Sequence, residues 1–166
     1  MDYEPTLDER QQVERYIAVC EQADDPDPYD LLNLIRIERQ TGTRPGLLAA
    51  TWCVEASMRT TMKDGSPVLG DWRGRVAMAR GPFQLWPEHR RACGLSDADA
   101  LELEPSARCY AARILSVTPR ARQRCPRAVE RTAEAAVANV AKYRWSCTVG
   151  SKHWQLAEEM EPDVNP

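Results

Sequence analysis

Residues 45–57 read "PGLLAATWCVEAS". They contain the most apolar run of the chain, residues 46–54, which is far too short to span a bilayer and reads as a core helix. Thr43 stands where a side chain caps such a helix, and Pro45 fits its first turn. On the helix, Leu48, Thr51 and Glu55 fall at i, i+3 and i+7, with Trp52 beside them. One carboxylate therefore occupies the inward side of the most apolar helix, one turn from its end. Desolvation and the negative end of the helix dipole both disfavour its charged form, the condition for a carboxylic acid that donates a proton near neutral pH. The ordinary alternative is a glutamate satisfied by one of the chain's many arginines.

Outward from this helix the pattern is helix after helix, punctuated by Pro and Gly, without repeats or strand alternation. Residues 6–23 are amphipathic and end at "DDPDP". Residues 29–41 carry Leu31, Leu34 and Ile35 at helical spacing and stop at Gly42. Residues 58–81 are polar and glycine-punctuated, which predicts a functional loop or a small hairpin after the carboxylate-bearing helix. Residues 87–93, 96–101, 105–117, 126–143 and 151–160 supply further helices. The expected fold class is mainly α. Residues 1–43 form an amino-terminal helical extension packed on a core of residues 44–166, in one compact unit.

At 166 residues, 43% hydrophobic and 28% charged, the composition is that of an ordinary globular protein. The net charge of −3 is uneven: an acidic leader precedes a basic body, which suits a polyanionic partner such as cell wall or nucleic acid. The first residues, "MDYEPTLDERQQ", have no apolar core, so no secretory signal is read there. Six cysteines show no metal-ligand spacing and neither histidine lies near one, so no metal is expected. Cys53, inside the apolar helix, reads as a buried free thiol. Cys125 and Cys147 are expected to pair, provided the intervening helix starts late, near Val129; a straight helix from residue 126 would hold them too far apart.

"ATWCVEASMRT" at residues 50–60 and "ARGPFQLWP" at 79–87 resemble the paired signatures of the lysozyme-like lytic transglycosylases and goose-type lysozymes. "LEPSARCYAARIL" is similar to the family's next helix. "AEAAVANVAKY" is similar to its Ala-Tyr-Asn-Ala-Gly segment, with Ala138 where Tyr is usual and Ala141 where Gly is usual. The resemblance covers residues 44–145 and implies a lysozyme-like helical domain with Glu55 as the catalytic acid and Ser57 near it. It implies that Gln84 lines the glycan cleft. Phe83 and Trp86 flank that amide, one expected to anchor the loop and the other to stack on a sugar. Asn139 matches the last motif, and Tyr143, one helical turn on, stands in for its missing phenol.

The activity implied is cleavage of the β-1,4 bond between N-acetylmuramic acid and N-acetylglucosamine in peptidoglycan, with a single glutamate and a 1,6-anhydro product. The goose-type branch instead hydrolyses with a second carboxylate, for which Asp64 and Asp71 are the candidates; both also stand in good turn sequences. A non-catalytic wall-binding module is the further alternative. Residues 118–131, "TPRARQRCPRAVER", could serve a nucleic-acid binder, but no DNA-binding motif accompanies them, so no nucleic-acid partner is expected. No cofactor, no membrane span and a monomer complete the expectation, with action on the bacterial wall as a phage lysis or virion protein or a specially exported one.

Overall fold

In a computed structural model the chain is described over residues 4–138, 147–148 and 150–161. Among the described residues it is mainly helical with one small hairpin. The order is α1 (Leu7–Val19), α2 (Pro28–Thr41), α3 (Leu47–Ala56), β1 (Leu69–Arg73), β2 (Val76–Arg80), α4 (Pro87–Cys93), a 3-10 turn (Asp99–Leu101), α5 (Leu103–Arg124), α6 (Val129–Ala138) and α7 (Lys152–Met160). β1 and β2 pair antiparallel with Leu69 opposite Arg80 and Arg73 opposite Val76. No described helix is long and apolar enough to cross a membrane, and no described cluster of His, Cys, Asp and Glu could hold a metal ion.

Side-chain caps start α1, α2 and α7. Thr6 and Glu9 form a reciprocal capping box on α1. Asp27 accepts from the Tyr29 amide with Pro28 in the first turn of α2, and Gly42 ends that helix in the left-handed conformation. Ser151 caps α7 by accepting from the Trp154 amide at 3.2 Å.

α3 is apolar on every side and is surrounded, as such a helix must be. Leu48, Ala49, Ala50, Thr51 and Cys53 are inaccessible to solvent, and Trp52 nearly so. Each fully buried large side chain contributes about 1.5–3 kcal/mol through removal from water. The core that encloses α3 draws Val13 and Tyr16 from α1, Leu31, Leu34 and Ile35 from α2, Tyr110 and Ala111 from α5, and Trp154 and Met160 from α7. α1 and α2 thus share one core with the rest.

The α3 amino terminus departs from expectation. Thr43 does not cap it; its hydroxyl instead pairs with that of Thr41 at 2.7 Å. Gly46, at φ +85°, offers no side chain. The first amides are taken by Glu38, buried on α2, which accepts from Gly46 N at 3.0 Å and Leu48 N at 2.9 Å. A carboxylate there meets both the orphan donors and the positive end of the helix dipole.

All six cysteines are paired. Cys53 is not a free thiol: it bonds Cys20, Cα–Cα 6.0 Å, tying the end of α1 to α3. Its apolar neighbours signalled burial correctly and were silent about the partner. Cys93 bonds Cys109, joining α4 to α5. Cys125 bonds Cys147, Cα–Cα 5.4 Å, because α5 ends at Arg124 and α6 starts only at Val129. The intervening turn is closed by the Ala128 amide donating to the Cys125 carbonyl at 2.9 Å.

Burial pushes the Glu38 carboxyl up to about 8, against the pull of the Gly46 and Leu48 amides. The folded chain then holds a proton that the unfolded chain has released between the ordinary carboxylate range and about pH 8, so this group's contribution to stability falls as pH rises through that window. Thermal unfolding at pH 5 and pH 8 checks this. In Glu38→Gln, which does not titrate, the difference in midpoint between the two pH values should be smaller than in the parent protein.

Candidate active site

Glu55 lies on the last turn of α3, and its side chain is 28% exposed. It is therefore half-buried rather than sealed in the core, and its partner is not an arginine. Oε1 of Glu55 and Nε2 of His153, on the first turn of α7, are 2.7 Å apart. Behind the ring stands Glu134 of α6, wholly buried, with Oε1 3.6 Å from Nδ1 of His153. The Tyr110 hydroxyl donates to Glu134 Oε1 at 3.0 Å, and the Ser151 hydroxyl donates to Glu134 Oε2. Thr51, one turn before Glu55 on α3, lies against the same Tyr110 hydroxyl. Four helices thus meet on one polar cluster in a mostly apolar core.

The electrostatics follow from burial and proximity. Burial raises the Glu134 carboxyl, opposed by His153 and by the hydrogen bonds from Ser151 and Tyr110. Burial also raises the Tyr110 hydroxyl, reinforced by the Glu134 charge, so Tyr110 acts as a neutral donor. For His153, burial disfavours the imidazolium, but the hydrogen bond to Glu55 and the charge of Glu134 outweigh it and hold the ring above its ordinary value.

The chain leaves α3 through two consecutive left-handed residues, Ser57 at φ +53° and Met58 at φ +56°. Ser57 is the carboxy-terminal cap of α3; its carbonyl accepts from the Asp24 amide at 3.1 Å. The Trp52 indole donates to the Arg59 carbonyl at 2.8 Å, which fixes the exit of the chain beside Glu55.

The second motif forms the loop between β2 and α4. Arg80 and Leu85 bridge its ends through two backbone hydrogen bonds, 3.0 and 3.3 Å. Buried Arg90 reaches back to the Met78 carbonyl at 2.9 Å and to the Leu85 carbonyl. Gln84 is itself left-handed at φ +47°. Its amide nitrogen donates to the Gly81 carbonyl at 2.9 Å and the Val68 carbonyl at 3.4 Å. The side chain therefore staples the loop, with Oε1 packed against Gly70 of β1, only 2.3 Å from where a Cβ there would be. Phe83 is the anchoring aromatic: it is 2% exposed and packs on Tyr110 with ring centroids 5.6 Å apart. Burial removes Phe83 from ligand binding. Trp86 is half-buried, with the Arg73 guanidinium 5.3 Å from its ring centre and its indole N–H donating to Asp71 Oδ2 at 3.0 Å.

Asp71 thus holds Trp86 in place. Asp64 accepts from the Ser66 amide at 3.0 Å and the Ser66 hydroxyl, closing an exposed turn. Asn139 and Tyr143 lie outside the described residues. A continuous run of contacts links the two motifs: Phe83 to Tyr110, Tyr110 to Glu134, Glu134 to His153, and His153 to Glu55.

Sequence reasoning missed His153, Glu134, Tyr110 and Ser151. Glu134 carried a readable signal, a carboxylate among alanines in "TAEAAVA", the same kind that marked Glu55. His153 carried none, being 98 positions from its partner. Comparisons with protein-family models, with curated proteins and with solved structures give no match to this chain.

Gly81 sits at φ +76°, and a Cβ there would meet the Ala100 carbonyl oxygen at 1.8 Å. Gly81→Ala should therefore cost more than about 2 kcal/mol, from left-handed strain plus displacement of a backbone group. Urea unfolding measures it; a cost below about 0.5 kcal/mol would show that the loop is looser than its hydrogen bonds imply.

Proposed function

We propose that this chain is a peptidoglycan-cleaving muramidase of the lytic transglycosylase type, with Glu55 as its single catalytic carboxyl. The observation that carries the reading is the placement of Glu55. It stands partly exposed at the end of a buried helix, and its polar cluster is in contact with the stiff Gly-Pro-Phe-Gln loop through Tyr110 and Phe83. The resemblance of both motifs to lysozyme-like enzymes supplies the substrate class.

In this reading Glu55 protonates the oxygen that leaves N-acetylmuramic acid as the C1–O bond breaks. The muramoyl C6 hydroxyl then closes on C1 and returns its proton to Glu55. One bond breaks, one forms, and no water enters. The Gln84 amide and the exposed part of Trp86 suit the amides and faces of N-acetylated sugars. Such a site is preorganised because its loop is hydrogen-bonded at both ends.

Hydrolysis by the goose-type route needs a second carboxylate to position water. Asp64 is engaged by Ser66 and Asp71 by Trp86, which supports the single-glutamate route over it. Three disulfides fit a protein that works in an oxidising compartment, where the bacterial wall also lies. Cell-wall glycan is the proposed partner.

Glu55→Gln should lower release of muropeptides from purified sacculi by at least ~10²-fold, because the amide keeps the shape but cannot cycle a proton. Mass spectrometry of the products discriminates the routes. Anhydro-muramoyl ends are expected; reducing ends would establish hydrolysis, and intact strands would reduce the protein to a wall-binding module.

A further inference from the structure

We propose that His153 is a positioning residue for Glu55: backed by Glu134, it holds the catalytic carboxyl by one hydrogen bond and shares one proton with it, so the pair sets the pH range of glycan cleavage. The proposal rests on the catalytic reading of Glu55 and assigns a role to a residue that neither motif contains.

The geometry is that of a built site. The His153 side chain is 9% exposed and Glu134 behind it is fully enclosed. Burying an imidazole and a carboxylate in an apolar core costs several kcal/mol unless each is matched by partners. Glu134 is matched on both oxygens, by Tyr110 and Ser151. His153 is matched at Nε2 by Glu55, whereas Nδ1 is buried without a hydrogen-bond partner among the described residues and lies 3.6 Å from Glu134 Oε1. With the Nδ1 hydrogen turned toward Glu134, Nε2 is the nitrogen that gains or loses a proton, and it faces Glu55. The arrangement therefore suits a histidine that changes charge in place.

Among the described residues, the charged groups around the ring are few. α3 brings Glu55, α6 brings Glu134, and α5 brings the Tyr110 hydroxyl through Glu134. α1, also packed on α7, brings Arg15 to the other end of that helix, where its Nε donates to the Glu159 carbonyl at 3.2 Å. Two carboxylates thus face one imidazole, and both hold its proton more tightly than burial loosens it.

The proton count is simple. The ion pair, Glu55 carboxylate with His153 imidazolium, and the neutral pair, Glu55 carboxyl with His153 imidazole, contain the same number of protons and interconvert across the 2.7 Å bond. Glu55 passes that proton to the leaving oxygen and regains one from the C6 hydroxyl, so the pair ends each turnover as it began. When pH rises enough to remove the shared proton, cleavage stops. A carboxyl alone surrenders its proton at lower pH than an imidazole held by two carboxylates. His153→Gln should therefore move the basic limb of the pH–rate profile down by about one to two units. Glu134→Gln, which keeps an acceptor for Tyr110, should move it in the same direction by less.

The test joins a measurement that needs no turnover to one that does. NMR titration of the imidazole signals in the full chain resolves two histidines. His153 should titrate above the ordinary histidine value and move down in Glu55→Gln and in Glu134→Gln. His89 should stay below it in all three, held there by burial and Arg113. A His153 ring that titrates at or below the ordinary value, or that ignores both substitutions, overturns the proposal even if the protein cleaves sacculi. With the expected titration, an unchanged basic limb in folded His153→Gln and Glu134→Gln also overturns it. If the titration is as expected and no variant or parent protein cleaves sacculi, the pairing stands and the muramidase reading falls.

Discussion

The structure depends on how α3 begins. A helix buried on all sides cannot give its first amides to water, and Gly46 has no side chain to accept them. Glu38 reaches across from α2 to take the Gly46 and Leu48 amides, so one carboxylate fixes the axis of α3 against α2. The Tyr16 hydroxyl approaches the same carboxylate from α1, at 3.5 Å. The direction of α3 decides where its last turn emerges, and hence where Glu55 meets α7. Everything described for the polar cluster is downstream of that cap.

The same device recurs. Buried Glu9 of α1 accepts from Arg39 of α2 at 2.8 Å as well as from its own capping threonine, and buried Glu134 of α6 gathers groups from α5 and α7. Each carboxylate joins helices that apolar packing alone would leave free to slide. Such groups make poor sources of net stability but strong sources of register, since only one relative placement satisfies them.

Much of this fold could be read from local sequence. Apolar spacing and the Gly42 stop located the first helices, the glycine-punctuated stretch became the hairpin, and the Cys125–Cys147 pair formed on its stated condition, a start of α6 at Val129 rather than at residue 126. Glu55 was legible because a carboxylate among Leu, Ala and Trp violates the apolar pattern. The polar partners of that carboxylate were not, because contact between α3 and α7 is a property of the whole fold and leaves no periodic trace. The same limit explains Cys53, whose neighbours report burial but not Cys20. It explains Thr43 as well: proximity in sequence favoured a threonine cap, whereas a glutamate one helix earlier has the reach and two oxygens to take two amides. Phe83 and Trp86 were indistinguishable as residue types; only the Tyr110 ring beneath one of them decides which is buried.

The three cross-links join cysteines in strict order of sequence, first to second, third to fourth and fifth to sixth, with separations of 33, 16 and 22 residues. Their loops neither nest nor interleave. A chain threaded amino-terminus first into an oxidising space finds each native partner in the next cysteine to arrive. Of all the pairings six cysteines allow, the simplest vectorial rule yields the native one, and bond reshuffling, which is slow without an isomerase, is not required. The covalent frame of this protein can therefore close in order of sequence, ahead of the long-range polar contacts that complete its polar cluster.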